Sequence, residues 1–187
     1  MEVLIRFMQR YATGKIVSFL FLLTMAIYLT MLSYTIPAVT IFSPQLPIFD
    51  LSPSGYSFNY AKELLTALGS EGRNIYLFTQ LPLDFLYPAL FSITYSLLLT
   101  WLLGKTFPQN SKVYYFAFIP FLAGIFDYCE NILIVKMINS FPELQAIVVK
   151  SASTFTILKS TFTIFFFILL TVGFILLFKK KLSEAYK

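Results

Sequence analysis

Apolar residues run along this chain in four long blocks, broken by polar residues at helical rather than alternating spacing. An apolar run of about 20 residues, rising ~1.5 Å per residue, is what a helix needs to cross a ~30 Å hydrocarbon core. The blocks predict helices at about 16–36, 74–104, 113–137 and 147–178. The expected fold is therefore an all-α integral membrane protein, a four-transmembrane-helix bundle forming a single membrane domain over residues 1–187. The first block is longer than the apolar region of a signal peptide, and Met31-Leu32-Ser33-Tyr34-Thr35 is a poor cleavage site, so it reads as a retained span.

The segments between the blocks carry their own signals. Pro37, Pro44, Pro47 and Pro53 predict an extended, helix-free connection over 37–56. Ser57 is placed as an N-cap, Tyr60, Leu64, Leu65 and Leu68 form one stripe, and Gly69 sits where a C-cap glycine belongs. This is a short amphipathic helix, too short to span and expected at the interface between helices 1 and 2. Gly69-Ser70-Glu71-Gly72-Arg73 reads as a tight turn with a charged tip, which closes an extracytoplasmic loop and interfacial helix over 37–73. With no preceding strand and no Gly-Lys-Ser/Thr ending it is not a phosphate loop. Residues 1–15, with Arg6, Arg10 and Lys15, read as a basic flank that fixes orientation, with a short amphipathic helix as the alternative. Pro82 and Pro88 fall inside the second block and predict a kink or tilt near Asp84.

Composition sharpens this picture. The chain is 58% hydrophobic and only 12% charged, against roughly 25% charged residues in soluble domains. It contains no histidine, which removes His-ligated metals, haem and Ser–His or Cys–His catalytic pairs. One cysteine, Cys129, allows no internal disulfide or dithiol relay and is expected to be an inert buried thiol. No cofactor is expected. Arg6, Arg10, Lys15, Lys105, Lys112, Lys179, Lys180, Lys181 and Lys187 fall at one set of segment ends, and Lys62, Arg73, Lys136 and Lys150 at the other. Nine cations against four predict both termini in the cytoplasm, in the cell (plasma) membrane. The basic residues thus mark topology and not a nucleic-acid surface.

The candidate chemistry lies where the third block is interrupted. Asp127, Glu130 and Asn131 stand at i, i+3 and i+4 and share one helix face, flanked by Phe126 and Tyr128. A charge in hydrocarbon costs at least roughly 2.5–3.5 kcal/mol, so each needs a partner or water. Counting from the outer helix ends, Asp84, Asp127 and Lys159 all lie roughly 14–15 Å deep, with Gln80, Glu130 and Asn131 one turn further out. Three carboxyls against one lysine leave an excess of negative charge that a proton on at least one of them would relieve, unless Arg73 dips inward.

Three classes of function fit this pattern. The first is an outward-opening polar cavity that binds a lipid or small polar ligand through Asp84, Asp127, Glu130, Asn131, Lys159, Gln80, Tyr87, Tyr128 and Arg73, with Phe91, Tyr95 and Phe126 as further walls. It would serve sensing or proton-coupled transport, the latter as a homo-oligomer because four helices are few for a transporter. The second is a structural bundle whose buried charges only fix helix packing. The third is an intramembrane lipid-modifying enzyme using a carboxyl as acid or base. Intramembrane aspartyl proteases set their aspartates in Tyr-Asp and Gly-x-Gly-Asp contexts, which Leu83-Asp84 and Gly124-Ile125-Phe126-Asp127 do not match. The expected partners are membrane lipids and a small polar ligand, with no nucleic acid.

Overall fold

The computed structural model describes residues 2–185 and is 85% helical, with no strand among the described residues. Four helices are long and apolar enough to cross a membrane: α2 (Gly14–Thr40), α4 (Gly69–Thr106), α5 (Lys112–Ser140) and α6 (Ala146–Ala185). Two shorter helices accompany them, α1 (Glu2–Tyr11) before α2 and α3 (Phe58–Ala67) between α2 and α4. The N-terminal basic stretch is thus helical, with Met8 turned into the bundle while Val3, Leu4 and Phe7 stay exposed. Lys187, counted above with the inner cations, lies outside the described residues.

Two stretches expected to be irregular are helical. Residues 37–40 continue α2 past Pro37, so the helix-free connection begins only after Thr40 and is broken again by a 3-10 turn at Phe49–Leu51. The reason lies one turn earlier. Met31–Thr35 is a π-turn, and Tyr76–Gln80 in α4 is another, each followed directly by an Xaa-Pro pair, Ile36-Pro37 and Leu81-Pro82. Each π-turn ends the α ladder, so the proline falls in the first turn of the next α segment, where its missing N–H breaks no bond.

The second stretch is 69–73, which forms the first turns of α4 and not a loop. Gly69, at φ 60°, makes the reversal from α3 alone. Gly72 serves packing instead, since a Cβ there would come within 2.9 Å of the Phe42 side chain. The N-cap of α3 forms as its sequence implies, with the Tyr60 amide donating to Ser57 Oγ at 3.1 Å. Ala61, Leu64 and Leu65 are buried beneath that helix while Lys62 and Glu63 are exposed.

Helix α4 is the central element, packed against α1, α2, α5 and α6, and α5 and α6 form the most extensive pair. Apolar side chains make two cores. One gathers Val39, Phe49, Leu64, Leu81, Ile134 and Ala152, and the other Val17, Phe91, Tyr95, Ala123 and Phe166. On α4, α5 and α6 alike, the buried charged residues Asp84, Asp127, Glu130 and Lys159 fall in the interval between these cores. The outer faces of α2 and α6 remain apolar and exposed, as at Phe19, Leu22, Ile164 and Phe174. At one end of the bundle Gln9 donates to the Gln109 carbonyl and Lys180 to the Lys105 carbonyl, each at 2.8 Å. This places α1, the α4–α5 loop and the end of α6 together, opposite the long connection and α3.

Candidate functional site

The polar interval begins with a proline. Pro88 has no N–H, so the carbonyl of Asp84, four residues earlier, loses its helical donor. Asn131 Nδ2 from α5 donates to that carbonyl at 2.8 Å. The amide orientation follows from this bond, because a carbonyl oxygen accepts only from a donor. The helices can approach this closely because Gly124 lies against Ser92 and the Pro88 carbonyl, and Ser92 Oγ donates to the Pro120 carbonyl at 3.2 Å.

On α5, the i, i+3, i+4 spacing turns Asp127, Glu130 and Asn131 inward, while Ile125 and Ile132 on the other face are exposed. Lys159 of α6 meets two of them, with Nζ 3.1 Å from Asp127 Oδ1 and 2.5 Å from Glu130 Oε2. Thr156, one turn before Lys159, donates to Glu130 Oε1 at 2.7 Å. Glu130 and Asn131 are fully buried, Asp84 and Asp127 nearly so. Lys159, the least buried member, leaves 16% of its side chain exposed.

Sequence reasoning missed the contribution of the long connection. Ile48 and Phe49 are fully buried, and Phe49 packs tilted against Tyr56 and stacks on Tyr76, at 4.6 and 6.2 Å between ring centroids. This draws Asp50 inward. Tyr76, itself fully buried, donates its hydroxyl to Asp50 Oδ2 at 2.8 Å, and the Asp50 and Asp84 carboxyls are neighbours. The centre therefore holds four carboxyls, not three. Tyr56 follows: its amide donates to Ser153 Oγ at 2.8 Å, and its hydroxyl lies near Thr156 and Glu130. Burial first, and the Glu130 carboxyl second, push the Tyr56 hydroxyl well above the ordinary phenol range, so it remains a donor. The signal available for Asp50 was its setting: Leu46-Pro47-Ile48-Phe49-Asp50-Leu51 is too apolar for a solvated loop.

The other residues singled out from the sequence divide. Gln80 sits one turn from Asp84 on α4 and accepts from Thr35 Oγ1, joining the last residues of the two π-turns. Tyr87 instead stacks on Tyr28 of α2 at 5.6 Å, and Tyr128 pairs with Phe85 at 6.2 Å. Arg73 does not dip inward: its guanidinium donates to the Leu65 carbonyl at 2.7 Å and covers the Phe141 ring at 4.5 Å. Phe126 stacks on Phe155 and Phe162, and Phe91 and Tyr95 join Phe166 in the aromatic layer beneath. Cys129 is half-buried rather than buried.

Several polar atoms of the centre are buried without a hydrogen-bond partner: Asp50 Oδ1, Asp84 Oδ2, Asn131 Oδ1, Gln80 Nε2 and the Tyr56 hydroxyl. They come from the connection, α4 and α5. Among the described residues no group of three or more Asp, Glu or Cys side chains is placed to hold a metal ion. Outside the centre, an open groove of about 430 Å³ is lined by Pro47, residues 52–57 and Tyr60, so Tyr56 belongs to both groove and centre. Compared with known proteins, the chain matches no family model, no curated protein and no solved structure.

Proposed function

We propose that the chain is an integral membrane protein that binds a small polar ligand or a lipid headgroup at this centre, reached from the extracytoplasmic side past the long connection. Membrane insertion is supported by the four long apolar helices and by the exposed apolar faces of α2 and α6, a surface that water would not tolerate. The cation count supports cytoplasmic termini, since most of the lysines and arginines cluster at the end where α1 and the α4–α5 loop meet. Helix α3, at the opposite end, then lies along the outer interface with Lys62 and Glu63 toward water.

One observation carries the binding reading: five buried, unpaired polar atoms gathered from separate elements at one level of the bundle. A packing device satisfies its own groups, because a buried orphan costs about 1–3 kcal/mol. The Lys159 pairs do that; Asp50, Asp84, Asn131, Gln80 and Tyr56 do not. Two π-turns bordering the centre add to the reading, since such turns recur at functional positions. The test is mass spectrometry of molecules co-purifying with the full chain, compared between wild type and Asp127→Asn. Binding predicts a small molecule or lipid held by wild type and depleted in the variant while the variant stays monodisperse. Identical retained molecules in both would leave the buried charges a purely structural role.

A further inference from the structure

We propose that the group seated in this centre is a primary ammonium, held by Asp50 Oδ1, Asp84 Oδ2 and Asn131 Oδ1. The inference rests on the binding reading and names its ligand class. The fixed cation of the site is already committed: Lys159 bonds Asp127 and Glu130, and among the described residues no lysine or arginine forms an ion pair with Asp50 or Asp84. These two neighbouring carboxyls therefore have no ion pair of their own, and the lysine within range, Lys159, is already bonded to two others. Their orientation is set from behind. Tyr76 holds Asp50 by Oδ2, leaving Oδ1 unpaired, and the Asn131 bond to the Asp84 carbonyl leaves the amide oxygen as an acceptor.

All three of these atoms are acceptors, two of them on carboxyls. A ligand anion would add charge of the same sign and offer no donor. A quaternary ammonium brings charge but no N–H. A primary ammonium brings one positive charge and three N–H donors for three acceptors. Gln80 Nε2, a donor one turn away on the same helix, is left for an oxygen carried by the same molecule. A proton shared between Asp50 and Asp84 would serve those two oxygens but would leave Asn131 Oδ1 and Gln80 Nε2 unpaired. The chemistry is that of an amino alcohol or its phosphate, supplied either by an ethanolamine phospholipid or by a free amine.

The full chain in detergent distinguishes these sources. Phosphatidylethanolamine is expected to raise the thermal unfolding temperature and to stay bound in native mass spectrometry. Phosphatidylcholine with the same acyl chains, differing only in its N-methyl groups, is expected to do neither. The effect should fall about tenfold or more in Asp84→Asn and in Asp50→Asn. The first leaves the Asp84 backbone carbonyl to Asn131, and the second keeps an acceptor for Tyr76, so either variant that folds serves the test. Stabilisation by free ethanolamine as well points to a soluble amine; stabilisation by the phospholipid alone points to the headgroup. Equal binding of phosphatidylcholine, unchanged binding in both aspartate variants, or stabilisation that follows pH with no amine present would overturn the ammonium. If amines are inert while Asp127→Asn still loses another co-purifying molecule, the ammonium fails and the binding reading stands. If Asp127→Asn loses nothing, the binding reading itself fails.

Discussion

At the scale of single residues, the centre depends on a proline and an asparagine that are 43 positions apart in the chain. Pro88 withdraws a donor from the Asp84 carbonyl and Asn131 replaces it. Asn131→Leu should therefore cost about 1–3 kcal/mol, the penalty for a buried unpaired carbonyl, seen as a lower unfolding temperature in detergent. Adding Pro88→Ala returns a backbone N–H to the same carbonyl, so the double variant should recover much of the loss. Strict additivity of the two changes would show that they do not share that bond. Lys159→Met should be worse, because it strands Asp127 and Glu130 together; removing one side of a buried ion pair costs about 3–5 kcal/mol. Neutralising both partners as well, with Asp127→Asn and Glu130→Gln, should restore thermal stability without restoring ligand retention. Recovery of both would mean that these charges serve packing alone. The meeting of Asp127 with Lys159 was legible beforehand because long helices are near-rigid rods, so a residue count is a depth. That count set Asp84 level with them and Glu130 a turn away, whereas Lys159 pairs with Glu130 and not with Asp84. The Asn131 bond was not legible. Pro88 predicts a bend, and its missing N–H equally announces a carbonyl in need of a donor without saying which residue supplies it.

At the scale of elements, α4 and α5 are in close contact where Gly124 faces Ser92. A Cβ at that position would fall 2.1 Å from Ser92 Oγ and 3.0 Å from the Pro88 carbonyl. Gly124→Ala must therefore push the helices apart or force Ser92 to another rotamer, at about 1–3 kcal/mol. Removing the hydroxyl in Gly124→Ala/Ser92→Ala should return part of the lost unfolding temperature, and the Pro88 carbonyl should keep the rest. No recovery would place the strain elsewhere. The long connection makes the opposite kind of contact, reversible and polar. Its Tyr56 amide is held by Ser153 Oγ, so Ser153→Ala should speed hydrogen exchange across residues 48–57 while leaving the interior of α4 protected. Unchanged exchange there would show that Phe49 and Ile48 alone fix the segment. Four prolines in 37–56 were evidence against helix, and after Thr40 the backbone is mostly irregular. They carried no information about direction: the inward fold of Asp50 is set by Phe49 finding Tyr56 and Tyr76, a tertiary contact with no local period. The π-turns were equally hidden, since nothing in Met31–Thr35 or Tyr76–Gln80 announces one beyond the proline that follows.

For the whole molecule, the decisive question is which end of the bundle faces out, because it determines the compartment from which a ligand arrives. The two ends differ in kind. One gathers α1 and the α4–α5 loop, tied by Gln9 to Gln109 and by Lys180 to Lys105, and carries most of the lysines and arginines. The other carries the irregular connection, α3 and the groove beside Tyr56. Lysine and arginine in short loops remain on the cytoplasmic side, so the groove should open outward. Cysteine labelling resolves this directly once Cys129 is replaced by alanine, which is tolerable for a half-buried thiol without a disulfide partner. Ser54→Cys, exposed at the groove, should react with a membrane-impermeant maleimide in intact cells. Asn110→Cys, exposed in the α4–α5 loop, should react only after permeabilisation. The reverse pattern would invert the topology and move the entrance to the cytoplasm. The polar centre would keep its geometry, but its ligand would then have to come from the inner leaflet or the cytosol, and the outer-leaflet route past Tyr56 would be excluded.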